Sequence, residues 1–334
     1  MSIFRILSRS SRLGLKSISV QQQNFLKMST NASISELQRE KETFQDLLPN
    51  IMETMLKNTR FTNMPEVANW TKQLHAYFLV MDDIMDGSTK RRGVPCWYRL
   101  PNIGLGAIND SILIHSSIYE ILKLYCENLP HYKHIVDQFN EALLYTSMGQ
   151  HLDYTMAHRN KNDYSLFTLE RYSSIVKYKT AYYTYKLPVS LGLLLANNTD
   201  MKTHKIAEEI CLEIGHLFQM QDDFIDTFGV EKVTGKVGTD IQEGKCSWLA
   251  VQALERCNSK QMKVFTACYG SPEPAHIERI KRLYEELELP AIYQKEERDR
   301  YNSVVQRVRQ LPTETSMSPD LFLKLLDMIY DRKN

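Results

Sequence analysis

Past residue 35, apolar side chains recur at intervals of three and four residues nearly to the C terminus. That spacing places them on one face of a helix with 3.6 residues per turn. Stretches 108–129, 132–155, 202–228 and 274–287 carry the pattern most clearly and predict amphipathic helices. Breaks fall at 100–106, 197–200, 229–244, 270–274 and 311–319, where Gly, Pro, Asn and Asp collect. The run Tyr182-Tyr183-Thr184-Tyr185 has strand propensity, but no hairpin punctuation flanks it, so no strand pair is predicted. Without a repeat period or low-complexity linker, residues 31–334 read as a single all-α domain.

The first 30 residues break the pattern. No acidic side chain precedes Glu36, and Arg5, Arg9, Arg12 and Lys16 fall on one helical face among serines and apolar residues. This composition predicts a mitochondrial presequence. The alternative is a disordered basic tail on a cytoplasmic protein, with Met28 as a second start.

Charge and cysteine usage narrow the remaining classes. With 41 basic against 40 acidic residues, no global field favours nucleic acid, so any anion site has to be local. The six cysteines form no C-x-x-C pair, which points to a reducing compartment. No run approaches the length of a membrane span, the nearest being 187–196.

Chemistry concentrates in two short clusters: Asp82, Asp83 and Asp86, followed by Arg91 and Arg92, and Asp222, Asp223 and Asp226, preceded by Gln219. The i, i+1, i+4 spacing projects three carboxylates from one helical turn. Such a trio repels itself and suits Mg²⁺, which takes oxygen ligands and leaves positions for substrate phosphates. A solvated helix face is the plain alternative. Both trios follow strongly apolar turns, 76–81 and 214–220, as if carboxylates were carried from the end of a buried stripe into a pocket. After the second trio, Gly229, Gly235, Gly238 and Gly244 alternate with Lys232, Lys236 and Lys245. This composition fits either an anion cradle or an ordinary surface connection. His131 and His134 have ligand-like spacing but no nearby carboxylate or cysteine, and read as surface residues. No nucleophile elbow, P-loop or Rossmann glycine pattern is present.

Taken together, these motifs resemble the trans-isoprenyl diphosphate synthases, and within them the animal enzymes that form farnesyl diphosphate. The likeness rests on 77–81 leading into the first aspartate cluster, Cys96-Trp97-Tyr98-Arg99, Gly149-Gln150 with Asp153, Tyr178-Lys179-Thr180-Ala181, Gln219-Met220-Gln221-Asp222-Asp223, and 238–248, and it covers roughly residues 40–334. It implies the isoprenoid synthase type of fold: antiparallel helices around a deep central cavity, in a homodimer. It implies three Mg²⁺ per active site, held by Asp82, Asp86 and Asp222, with Asp83, Asp223 and Asp226 in support. Arg91, Lys179, Lys236 and Lys245 would bind the allylic diphosphate, and Arg92 the diphosphate of isopentenyl diphosphate. The carbonyl of Lys179 with the side chains of Thr180 and Gln219 would stabilise the allylic cation. Tyr77 and Phe78, about 6–7.5 Å before Asp82 along a helix, would stop chain growth near fifteen carbons; core packing is their plainer reading.

The resemblance also has gaps. The Gly-Gly-Lys-x-x-Arg turn that grips isopentenyl diphosphate in the family is missing, and Lys57 and Arg60 match only its Lys-Arg spacing. Residues 61–74 resemble an earlier family helix joined directly to His75, which stands where the family carries glutamine. A helix-length segment is therefore expected to be absent. Three readings stay open: a condensing prenyltransferase, a terpene synthase that ionises a prenyl diphosphate without condensation, and an inactive homologue serving as a partner subunit.

Overall fold

The computed structural model describes residues 65–159, 163–229, 238–312 and 317–330, all within one compact unit, Met52–Asn334. The expected presequence, the Lys57 and Arg60 pair, and loop residues Lys232, Gly235 and Lys236 lie outside the described residues.

Helices follow the apolar periodicity closely. Helix α1 (Pro65–Met85) is followed by α2 (Gly106–Cys126), α3 (Tyr132–Tyr154) and a short π turn at Thr155–Arg159. From α4 (Leu169–Ile175) through a π-helical segment (Val176–Lys186) to α5 (Leu187–Leu195), the chain forms one helical rod. Then come α6 (Met201–Phe228), the single turn α7 (Asp240–Glu243), α8 (Trp248–Arg256) and α9 (Ser259–Cys268). The last three are α10 (Pro274–Glu286), α11 (Leu289–Arg309) and α12 (Pro319–Asp327). Among the described residues, no helix is long and apolar enough to cross a membrane.

Three local features could not be read from periodicity. The join at Leu74–His75 lies inside α1, which runs unbroken, with Thr71, Leu74 and His75 buried along one side. The tyrosine-rich run 182–185 is π-helical. Pro188, just beyond it, lacks an N–H and its ring crowds the carbonyl one turn earlier, and the wider π turns ease that conflict without ending the rod. One strand pair exists after all: β1 (Lys90–Arg91) pairs antiparallel with β2 (Val94–Pro95). Two residues are too few to show alternation. Its turn is Arg92 (φ 55°) and Gly93 (φ 81°), both left-handed, as a tight two-residue hairpin requires.

Helix α6 is the centre of the core. Ile210, Cys211, Ile214, Leu217 and Met220 are all fully buried, each such apolar side chain contributing about 1.5–3 kcal/mol relative to exposure. Arg307 of α11 pairs with Glu209 and Glu213 of α6. Two glycines set helix separations. A Cβ on Gly215 of α6 would meet Ala181, and a Cβ on Gly149 of α3 would lie 2.5 Å from the Lys179 Cα. Backbone therefore approaches backbone where Lys179 emerges.

Gly149→Ala should consequently push the π segment off α3. The expected cost is about 1–3 kcal/mol, as for other overpacked cores, read as a lower urea midpoint at unchanged m.

Candidate active site

The two aspartate clusters end two helices, and different structures surround each. In the first, Asp82 and Asp83 occupy the last turn of α1, with Asp86 just past its end. The β1–β2 hairpin folds back so that Arg91 reaches both: its Nε donates to Asp83 Oδ1 (2.9 Å) and Oδ2 (3.0 Å), and a terminal nitrogen donates to Asp82 Oδ2 (3.2 Å). The Cys96-Trp97-Tyr98-Arg99 segment staples this turn. Tyr98 donates to the Ser88 carbonyl (2.8 Å), Arg99 to that of Gly87 (3.2 Å), and the Trp97 indole to Asp110 of α2 (2.8 Å).

Lys179, from the π segment, lies 3.2 Å from Asp82 Oδ1 and 2.6 Å from Asp153 Oδ2. Lys245 follows α7 and the left-handed Gly244 (φ 73°). It lies 3.0 Å from Asp86 Oδ1, 3.0 Å from the same Asp153 oxygen, and 3.5 Å from Glu243 Oε2. Burial works against every charge in this group. Even so, Lys179 and Lys245 outweigh burial and hold Asp153 well below the usual carboxylate range. They and Arg91 likewise keep Asp82 low. Asp86 is pushed up, because burial and the neighbouring Asp82 and Asp153 prevail over the lysines. Both lysines lie above their ordinary value, since the carboxylates more than offset the cost of burying an ammonium.

The second cluster is committed differently. Asp223 is buried and accepts from the Gln219 amide (2.8 Å) and the Trp248 backbone N–H (2.8 Å). Burial pushes its carboxyl up to about 7. Asp226 accepts from the backbone of Thr239 (3.3 Å) and Asp240 (3.0 Å) and so starts α7, with Gly238 packed against its carbonyl too closely for a Cβ. Asp222 is left only partly buried. Thr180 donates to Gln219 Oε1 (2.7 Å), completing a chain Thr180, Gln219, Asp223.

Metal fitness rests on the oxygens. Among the described residues, no three His, Cys, Asp or Glu side chains converge closely enough to hold a metal ion by themselves. In the first cluster, lysine and arginine nitrogens stand between the carboxylates. Asp82 Oδ1, Asp86 Oδ1 and Glu243 Oε2 are nevertheless buried without an aligned hydrogen bond, although each has an ammonium within 3.5 Å. Hard, underused carboxylate oxygens of this kind suit Mg²⁺.

Around the first cluster is an aromatic wall. Tyr77 and Phe78 are 5.0 Å apart between ring centres, with Phe78 5.2 Å from Tyr183 and Tyr77 5.2 Å from His115. His75 is buried, donates from Nδ1 to the Thr71 carbonyl (3.0 Å), and lies 4.4 Å from the Tyr183 ring. Burial, with a smaller contribution from the Arg92 charge, lowers its pKa to about 4. Asp153 and Glu243 were given no role by sequence reasoning. For Asp153 a signal existed: it continues the buried stripe of α3 formed by Ile135, Phe139, Ala142, Thr146 and Gly149. For Glu243 there was none.

The unfolded chain protonates His75 below about 6.5, but the folded chain does so only below about 4, so His75 costs stability as pH falls through that window. His75→Gln should flatten the fall in Tm between pH 6.5 and 4, as measured by calorimetry.

The family model described as polyprenyl synthetase matches residues 42–287. Farnesyl pyrophosphate synthase of Bos taurus is 46% identical over 260 residues, covering 78% of this chain and 73% of that protein. The same enzyme of Murgantia histrionica is 43% identical over 271 residues, covering 81% of this chain and 66% of its own length. The T. brucei farnesyl diphosphate synthase, solved with a bisphosphonate, superposes with a TM-score of 0.80 at 33% identity, covering 86% of each chain. From these matches, with the all-helical architecture and the aspartate-ended helices, the chain belongs to the polyprenyl synthetase family.

Proposed function

We propose that this chain is a Mg²⁺-dependent prenyltransferase that joins isopentenyl diphosphate to dimethylallyl and then geranyl diphosphate, giving farnesyl diphosphate. The observation that carries the reading is the charge arrangement at the end of α1. There Arg91, Lys179 and Lys245 share a partly buried space with Asp82, Asp86 and Asp153, in a chain 46% identical to a farnesyl pyrophosphate synthase.

Mg²⁺ held by Asp82, Asp86 and Asp222 would supply charge neutralisation to a departing diphosphate. Each ammonium carries three N–H donors and makes an aligned hydrogen bond to Asp153, so Lys179 and Lys245 can keep that bond and turn other donors from their looser carboxylate contacts to phosphate oxygens. Thr180 gives its only proton to Gln219, which leaves its oxygen lone pairs to face positive charge. Asp223 holds the Gln219 amide in the orientation that receives that proton. The side chains thus position and stabilise an allylic cation without forming a covalent bond to it. Lys236 is proposed as a further diphosphate ligand. Tyr77 and Phe78, backed by Tyr183 and His115, are proposed as the wall that limits product length.

Two wider proposals accompany this one. Leu105, Ile108, Ile112 and Leu113 at and along the start of α2, and Leu144 and Met148 on α3, are exposed apolar residues; we infer that they form a homodimer face. The amphipathic, acid-free residues 1–30 are inferred to direct the chain to mitochondria.

A second reading has its own support. His75 replaces the family's glutamine, and its Nδ1–H is already spent on Thr71, which weakens the isopentenyl side and favours a terpene synthase.

Purified protein with Mg²⁺ should convert geranyl and labelled isopentenyl diphosphate to labelled farnesyl diphosphate. A hydrocarbon or alcohol from farnesyl diphosphate alone would establish the terpene synthase instead, and silence in both assays the inactive subunit. In the condensing enzyme, Thr180→Val is expected to lower kcat about tenfold, equivalent to about 1.4 kcal/mol of barrier, at unchanged KM for the allylic substrate. Ile112→Asp should shift the protein from dimer to monomer in sedimentation.

A further inference from the structure

Among the described residues, Asp153 is the one carboxylate that contacts both lysines, and it does so through a single oxygen, Oδ2, 2.6 Å from Lys179 and 3.0 Å from Lys245. Its side chain is 8% exposed. It rises from the last turn of α3, one turn beyond Gly149, whose backbone abuts that of Lys179. The separation of α3 and the π segment and the position of the bridging oxygen are therefore set by the same contact. Asp82 and Asp86 each touch only one of these lysines and are the groups assigned to metal. Asp153 has no part in the reaction described above.

We propose that Asp153 is a positioning residue: its Oδ2 holds one N–H of Lys179 and one of Lys245, so that both ammoniums aim their remaining donors at a single diphosphate group. This rests on the prenyltransferase reading. Its physical consequence has two parts of opposite sign. A buried anion between two cations competes with an incoming polyanion, so Asp153 weakens ground-state capture of diphosphate. The same anion fixes the geometry in which the leaving group's charge is met as it develops, so it raises turnover.

Asp153→Asn, nearly isosteric, separates these parts. By calorimetry with inorganic pyrophosphate and Mg²⁺, the variant is expected to bind about threefold or more tightly than the wild type, because one opposing charge is gone. In condensation, kcat should fall about tenfold or more while KM for geranyl diphosphate does not rise. A residue that only supported the fold would weaken pyrophosphate binding and turnover together, and that result overturns the proposal. So does a kcat within about twofold of the wild type. If Asp153→Asn does not fold, Asp153→Glu keeps the charge and shifts the oxygen by one methylene. Pyrophosphate binding should then stay within about twofold while kcat falls, and an unchanged kcat sinks the idea. If the wild type fails to condense but Asp153→Asn still binds pyrophosphate more tightly, the prenyltransferase reading fails and the electrostatic role of Asp153 stands. A condensing wild type with no such split has the reverse meaning.

Discussion

Burying a charge is tolerable only when an opposite charge is buried with it, and the end of α1 depends on that constraint. Asp82, Asp153, Lys179 and Lys245 come from four separate elements, and each would be expelled or neutralised if it stood alone. Together they keep Asp153 ionised and both lysines protonated. The group holds α1, α3, the π segment and the turn after α7 in register around one small volume. A replacement of one partner leaves another uncompensated, so stability and chemistry are coupled at this point.

Close backbone contact makes the arrangement possible. Gly149 and Gly215 let α3 and α6 approach the π segment to a distance that any Cβ would prevent. The π turns displace Lys179 and Thr180 from the positions an α-helix would give them. Lys179 meets Asp153 of α3, while Thr180 meets Gln219 of α6. Consecutive residues thus serve different partners, one holding charge and the other orienting a dipole. A uniform α-helix would also have had to accommodate Pro188 by kinking.

The two aspartate clusters look alike in sequence but not in space. Asp83 is consumed by Arg91, Asp223 by Gln219 and Trp248, and Asp226 by the turn that begins α7. Three of the six carboxylates, Asp83, Asp223 and Asp226, therefore have a structural task. The pairing of a catalytic-looking motif with a structural task also explains why Gly238 is needed: the chain must pass against the Asp226 carbonyl to reach its carboxylate.

Helix positions were legible because burying an apolar face imposes a period of 3.6 residues, which the chain displays most clearly in α2, α3, α6 and α10. The aspartate clusters were legible too, since neighbours on one turn are neighbours in sequence. The β1–β2 hairpin was not, because two residues carry no period, and neither was the π geometry, which arises from packing against Gly149 and Gly215 around Pro188. Asp153 illustrates the division best. Its place on the buried stripe of α3 follows from a spacing of four and three, but its two lysine partners lie 26 and 92 residues away in the chain. Local periodicity determines which face a residue joins. Which charge it meets there is decided only when distant segments pack, because Coulomb attraction and desolvation depend on distance through space and not along the chain.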